Sequence, residues 1–226
     1  MTAILIFDID LTLVHTAGAG ARAMTRAFAR LFGIDDAFAG MEFAGRTDLA
    51  ILRDAFTRHG LLGEGYDERA GLFQAAYLQL LAEELAAANG HILPGVRLLL
   101  ESLSTRADVR LGVGTGNFRE AAELKLRGHG LWSYFLDGGF ADDSEDRAEV
   151  IAAAIRRVRR EDDGESAIYV IGDTPHDIAA AKANDAAVIG VATGRTTREL
   201  LAAAGADLVL DSLEDSEALL DLLGLG

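Results

Sequence analysis

Four acids and one threonine, each just beyond an apolar run, are the residues of this chain best placed to do chemistry. Ile4-Leu5-Ile6-Phe7 leads into Asp8-Ile9-Asp10-Leu11-Thr12. Val109 to Gly114 leads into Thr115-Gly116-Asn117, and Ala167 to Ile171 into Gly172-Asp173-Thr174-Pro175-His176-Asp177. Ile4 to Phe7 is β-branched and aromatic enough for a buried strand. Two carboxylates one residue apart at its end need their charge compensated. A divalent cation compensates it and leaves one carboxylate as a candidate nucleophile. Gathered at one sheet edge, the three segments offer acids that suit a hard cation such as Mg²⁺. They also offer the Thr115 hydroxyl, turn amides and a helix N-terminus, which suit phosphoryl oxygens. Asn117 fits either that task or a helix cap, and Asp177 fits either the cation or a cap.

The elements that must position these residues follow from periodicity. Helical spacing of apolar residues marks 21–33, a segment from Thr47 or Asp48 to Gly60, and 67–88, which stops at Asn89-Gly90. From Pro94 onward, strands and helices alternate. Strands are expected at Val109–Gly114, Ala167–Ile171, Ala187–Val191 and Asp207–Leu210. Helices are expected at Gly95–Leu103, Arg119–Arg127, Ala148–Arg159, Asp177–Ala183, Thr197–Ala204 and Ser212–Leu223. The pattern predicts an α/β fold: a Rossmann-like parallel sheet with helices on both faces. Residues 1–15 and 91–226 would form this core, and 16–90 an all-helical insert after the first strand. Ligands of such sheets bind beyond the carboxyl ends of the strands, where the acids and Thr115 stand.

Asp8-x-Asp10-x-Thr12, Thr115 and Gly172-Asp173-x-x-x-Asp177 resemble motifs I, II and IV of the haloacid dehalogenase-like hydrolase superfamily. The insert resembles that superfamily's C1 cap, and the phosphoglycolate phosphatase and β-phosphoglucomutase-like branch is the nearest. The resemblance implies that Asp8 attacks phosphorus and that Asp10 is the acid–base. It implies Mg²⁺ held by Asp8, the Asp10 backbone carbonyl and Asp173, with Asp177 in support. It places Thr12, Thr115, Gly116 and Asn117 at the phosphoryl group, and Arg46, in Gly45-Arg46-Thr47-Asp48, at the substrate. Two departures stand out. Leu11 replaces the usual motif I glycine, and the motif III lysine has no obvious counterpart, since the chain has only Lys125 and Lys182. Arg147, before the expected helix at 148, is the preferred substitute and Lys125 the second choice. Arginine keeps its charge and pairs bidentately with carboxylate or phosphate.

Composition narrows the classes. The formal charge of −15 argues against nucleic-acid or anionic-membrane partners. With no cysteine there is no thiol nucleophile or disulfide. The opening Met1-Thr2-Ala3 lacks a signal-peptide pattern and no apolar run would span a bilayer. A soluble cytoplasmic enzyme, monomer or homodimer, acting on a small phosphorylated substrate is expected. Asp10 and Asp173 argue against a metal-free dehalogenase, and the absence of lysine from 16–90 against a phosphonoacetaldehyde hydrolase. A phosphohexomutase of the β-phosphoglucomutase kind is the alternative to a phosphatase. Gly18-x-Gly20-x-x-Ala23 is a poor dinucleotide fingerprint because Asp8 to Ala17 separate it from the strand.

Overall fold

The computed structural model describes residues 2–161 and 163–224. Strand β1 (Thr2–Phe7) is apolar along its length, and its side chains divide between two cores. Ala3, Leu5 and Phe7 pack with helices α4 (Val96–Ser104), α5 (Arg119–Gly128) and α9 (Ser216–Leu222). Ile4 and Ile6 pack with α6 (Arg147–Val158), α7 (Pro175–Lys182) and α8 (Arg198–Ala204). A strand buried on both faces belongs inside a parallel sheet, and β1 lies there. The remaining strands are β4 (Val109–Gly114), β5 (Gly138–Gly139), β6 (Ser166–Gly172), β7 (Ala187–Val191) and β8 (Leu208–Leu210). Their order is β5-β4-β1-β6-β7-β8 with every pair parallel. The expected α/β sheet with helices on both faces is therefore present.

Between β2 (Val14–His15) and β3 (His91–Ile92) the chain makes three helices, α1 (Ala19–Phe32), α2 (Asp48–Arg58) and α3 (Tyr66–Ala87). They bury a separate apolar cluster in which Phe28 meets the rings of Phe32, Phe38, Phe56 and Phe73. Helix α5 serves both units. Ala122 and Leu126 face the sheet core, while Phe118, just before it, and Ala121 face the three helices. β2 and β3 form a two-residue antiparallel pair where the chain leaves and re-enters the core. Two-residue strands are too short to show a period, which is why the sequence pattern does not reveal them. The diglycine β5 likewise carries no strand signature.

The site side of the sheet depends on close approaches between α6 and its neighbours. A Cβ on Gly139 would run into the Val150 carbonyl. One on Gly114 would lie 2.5 Å from Ile151 Cδ1 and from Ile6 Cγ2. Helix α6 begins with Arg147, so this packing sets where that guanidinium lands. Gly139→Ala is expected to cost about 1–3 kcal/mol as an overpacking change. A lowered urea midpoint would show it, and an unchanged midpoint would mean that α6 can yield there.

Candidate active site

Register brings the functional residues together. Phe7 pairs with Val113 of β4 on one side and Ile171 of β6 on the other. The Asp8 amide continues the ladder by donating to the Ile171 carbonyl at 2.9 Å. Asp8, Thr115 and Asp173 thus leave three adjacent strands at the same edge. β1 is also where the chain's crossovers change direction, the place where open parallel sheets bind ligands.

Oxygens of Asp8, Asp173 and Asp177 lie within 4.8 Å of one another, and all three residues are buried. One guanidinium serves two of them: Arg147 Nη2 donates to Asp8 Oδ1 at 2.8 Å and to Asp177 Oδ1 at 2.6 Å. Burial opposes the arginine's charge, but the two carboxylates outweigh it and hold it protonated. Asp177 Oδ2 accepts from the Thr174 amide and hydroxyl at 3.1 and 2.8 Å. Asp177 therefore combines the two roles its sequence position allows, a capping interaction at the start of α7 and membership of the acidic cluster. Among the described residues no salt bridge reaches Asp173. The Thr12 hydroxyl donates to its Oδ1 at 3.4 Å. Burial, then the charges of Asp8, Asp177 and Asp10, push its carboxyl up to about 8. Burial also pushes Asp8 up, to about 6, with Arg147 pulling down against Asp177 and Asp10. Three clustered hard oxygen donors whose ionised forms repel one another fit a divalent cation such as Mg²⁺.

Asp10 turns to a different set of groups, and its side chain is 39% exposed. Lys125 Nζ donates to Asp10 Oδ2 at 2.6 Å, Asn117 Nδ2 to the same oxygen at 2.8 Å, and Thr16 Oγ1 to Oδ1 at 3.4 Å. Burial alone would raise the Asp10 carboxyl, but the Lys125 charge and these hydrogen bonds hold it below the ordinary value. Asn117 also donates to Thr115 Oγ1 at 2.7 Å and accepts from Lys125. In the described bonds Thr115 Oγ1 only accepts, which leaves its hydroxyl hydrogen for a ligand.

Arg147 and Lys125, alternatives for one role in the sequence, thus serve different acids. Leu11 takes the left-handed conformation (φ 61°) that glycine adopts without strain, so the loop keeps its path despite the side chain. Arg46 pairs with Asp54 at 2.7 Å within the insert. It lines a cleft of about 320 Å³ between Gly45–Thr47 and the first turns of α6 and α7. Gly116 donates no described bond from its amide, but its carbonyl accepts from the Asp48 amide at 2.6 Å. The sequence reading places Asp48 in the substrate-facing segment Gly45-Arg46-Thr47-Asp48, but it gives neither Asp48 nor Thr16 a contact of its own. Thr16 follows β2 with no motif around it, and Asp48 reads simply as an acid in a helix's first turn.

This fold and this arrangement of acids define a haloacid dehalogenase-like hydrolase, and the chain belongs to that family, whose model matches residues 5–191. It is 33% identical to a phosphoglycolate phosphatase of Rhodospirillum rubrum, over 97% of this chain and 90% of that one. It is 29% identical to a probable phosphatase, IndB, of Dickeya dadantii, over 95% and 92%. With such relatives, the expected class, phosphoric monoester hydrolase, stands. Among solved structures, CbbY of Rhodobacter sphaeroides in complex with phosphate shares the fold, with a TM-score of 0.70 and 22% identity over 94% of this chain and 95% of that one. Among the described residues no helix is long and apolar enough to cross a membrane.

The pH dependence of cation binding tests the cluster. Asp173 rises from 3.8 to about 8, so the folded state binds more protons than the unfolded one across that interval. Stability from this group is present at low pH and is lost as pH rises through about 8. A cation that uses the ionised form restores it. Mg²⁺ is expected to raise Tm more near pH ~8 than near pH ~5, and Asp173→Asn to remove most of the gain. A Mg²⁺ shift equal at both pH values would contradict the cluster's role.

Proposed function

We propose that this chain is a Mg²⁺-dependent phosphatase that hydrolyses a small phosphorylated metabolite through an aspartyl phosphate on Asp8. The observation that carries the reading is the partition of cations, Arg147 on Asp8 and Lys125 on Asp10. It gives two acids separated by the single residue Ile9 different environments, as nucleophilic and acid–base roles require. Residues 1–15 and 91–226 would supply the chemistry, and residues 16–90 would act as a cap that selects the substrate.

Asp8 Oδ1 is held by Arg147, which leaves Oδ2 to attack phosphorus. As the P–O bond to the leaving group breaks, a proton from Asp10 passes to the departing alkoxide. Asp10, again ionised, takes a proton from a water that attacks the phosphorus of the aspartyl phosphate. That step releases inorganic phosphate and restores Asp8. The low-lying Asp10 carboxyl, set by Lys125 and Asn117, favours the base half of this cycle. Thr12, Thr115, Gly116 and Asn117 are proposed to hold phosphoryl oxygens, and Arg46 to meet the rest of the substrate. Mg²⁺, held by Asp8, Asp173, Asp177 and the Asp10 carbonyl, would neutralise charge on the phosphoryl group. A cytoplasmic location is part of the same proposal.

Phosphate release from a panel of phosphorylated metabolites, with phosphoglycolate first because of the R. rubrum relative, tests the activity. Turnover without phosphate release, yielding an isomerised sugar phosphate, would favour a mutase instead. Asp8→Asn should lower kcat by at least about 10⁴-fold. Asp10→Asn should lower it by about 10²–10⁴-fold, the usual range for acid–base help. Full activity in Asp8→Asn would remove the nucleophile assignment.

Asp8 must be ionised to attack, so kcat/KM of the parent should fall as pH drops through and below about 6. Cation binding would move that limb lower. Arg147→Met removes the main group that pulls Asp8 down, so its acidic limb should move to higher pH. An unmoved limb, with kcat reduced at every pH, would assign Arg147 to the phosphoryl group alone.

A further inference from the structure

Asp48, the first residue of α2, is a buried carboxylate that the reaction above does not use. It is 7% exposed, and among the described residues no salt bridge reaches it. Burial pushes it up to about 7. A charged group is kept out of water without an ion pair only where other interactions repay it, and both of its strongest partners lie in the core. Its amide donates to the Gly116 carbonyl at 2.6 Å. Its Oδ2 accepts from the Phe118 amide at 3.0 Å.

Phe118 is the N-cap residue of α5 and provides no capping side chain itself. The insert therefore supplies an acceptor for the amide of the N-cap residue, the task that an N3 glutamate performs in a capping box, and its charge suits a helix N-terminus. One residue earlier, Thr47 Oγ1 donates to the Glu145 carbonyl at 3.0 Å, two residues before Arg147. Residues 46–48 thus lie between the loop that carries Thr115 and Asn117 and the loop that carries Arg147. The approach is tight, since a Cβ on Gly116 would run into the Arg46 carbonyl. The nearby Arg53–Glu145 pair, at 2.6 Å, has side chains 52% and 35% exposed and adds little.

We propose that Asp48 is a positioning residue that clasps the helical insert to the 115–118 loop, so that docking of the insert and ordering of Thr115 and Asn117 are one event. When the seam parts, Asp48 and the Phe118 amide both regain water, which keeps the clasp reversible. When it closes, the Phe118 amide gains its acceptor beside the Arg119 amide, which Asp142 holds at 2.6 Å, and the start of the helix that carries Lys125 to Asp10 is fixed with the insert. The inference rests on the reading of residues 115–117 as the phosphoryl holder.

Because the chain has no cysteine, cysteines introduced at the exposed Leu62 of the insert and Leu136 of the core accept two spin labels cleanly. The distance between the labels is measured with Mg²⁺ and inorganic phosphate present. The parent should give one narrow population, and Asp48→Ala a longer, broader one with kcat reduced about 10²-fold, the scale of a small misplacement. Asp48→Asn, which keeps an oxygen for the Phe118 amide, should restore both distance and rate. Gly116→Ala should broaden the distance from the core side, and it carries the test if Asp48→Ala does not fold. An unchanged distance in a folded Asp48→Ala, or an opened seam with undiminished kcat, would overturn the proposal. So would an Asp48→Asn variant as open as Asp48→Ala. Failure of the parent to release phosphate would instead strike the phosphatase reading, while the distances would still report on the clasp.

Discussion

Packing four carboxylates at one edge of a buried sheet is the constraint on which the rest of this structure depends. Asp8, Asp10, Asp173 and Asp177 repel one another, and all but Asp10 are buried where water is scarce. Two cations answer part of the problem. Arg147 spans Asp8 and Asp177, and Lys125 takes Asp10. Four acids and two cations leave two formal negative charges, which one divalent cation would balance. Asp173, which no described salt bridge reaches, is pushed up to about 8 by burial and by its acidic neighbours.

The fold is arranged to deliver those cations. β1 sits between β4 and β6, so the acids after it and after β6 share an edge with Thr115. Gly114 and Gly139 let α6 come close enough for Arg147, its first residue, to reach under Asp8. Helix α5 reaches the site from the other side. Its buried face, Ala121, Ala122, Lys125 and Leu126, packs against both the sheet core and the insert while its lysine crosses to Asp10. Stability and chemistry are thus coupled, because the helices that cover the sheet also carry its countercharges.

Much of this was legible in the chain. The strands at Val109–Gly114 and Ala187–Val191 lie where their apolar runs begin and end, and the helices are displaced by only a few residues. Asp8, Thr115 and Asp173 could be read because strand ends in a parallel sheet are brought together by topology alone. The partners of Arg147 and Lys125 could not, because sequence position does not say which carboxylate a long side chain will meet. A signal for Lys125 existed: a lysine on the apolar face of a helix needs a buried acid. Nothing comparable marks Asp48. Its partner Phe118 lies 70 residues away, and only the packing of the insert against the start of α5 brings them together. Strands of two residues, such as β2, β3 and β5, carry too few side chains for any period to be seen.

The central claim is that Asp8, and not Asp10, is the group that bonds to phosphorus. Acid quenching of the enzyme during turnover with a radiolabelled phosphate ester, followed by peptide mapping, tests it directly. Label is expected on the peptide that contains Asp8, lost in Asp8→Asn, and accumulating in Asp10→Asn, where the intermediate forms but hydrolyses slowly. Label on another residue, or phosphate release with no labelled protein at any quench time, would contradict it.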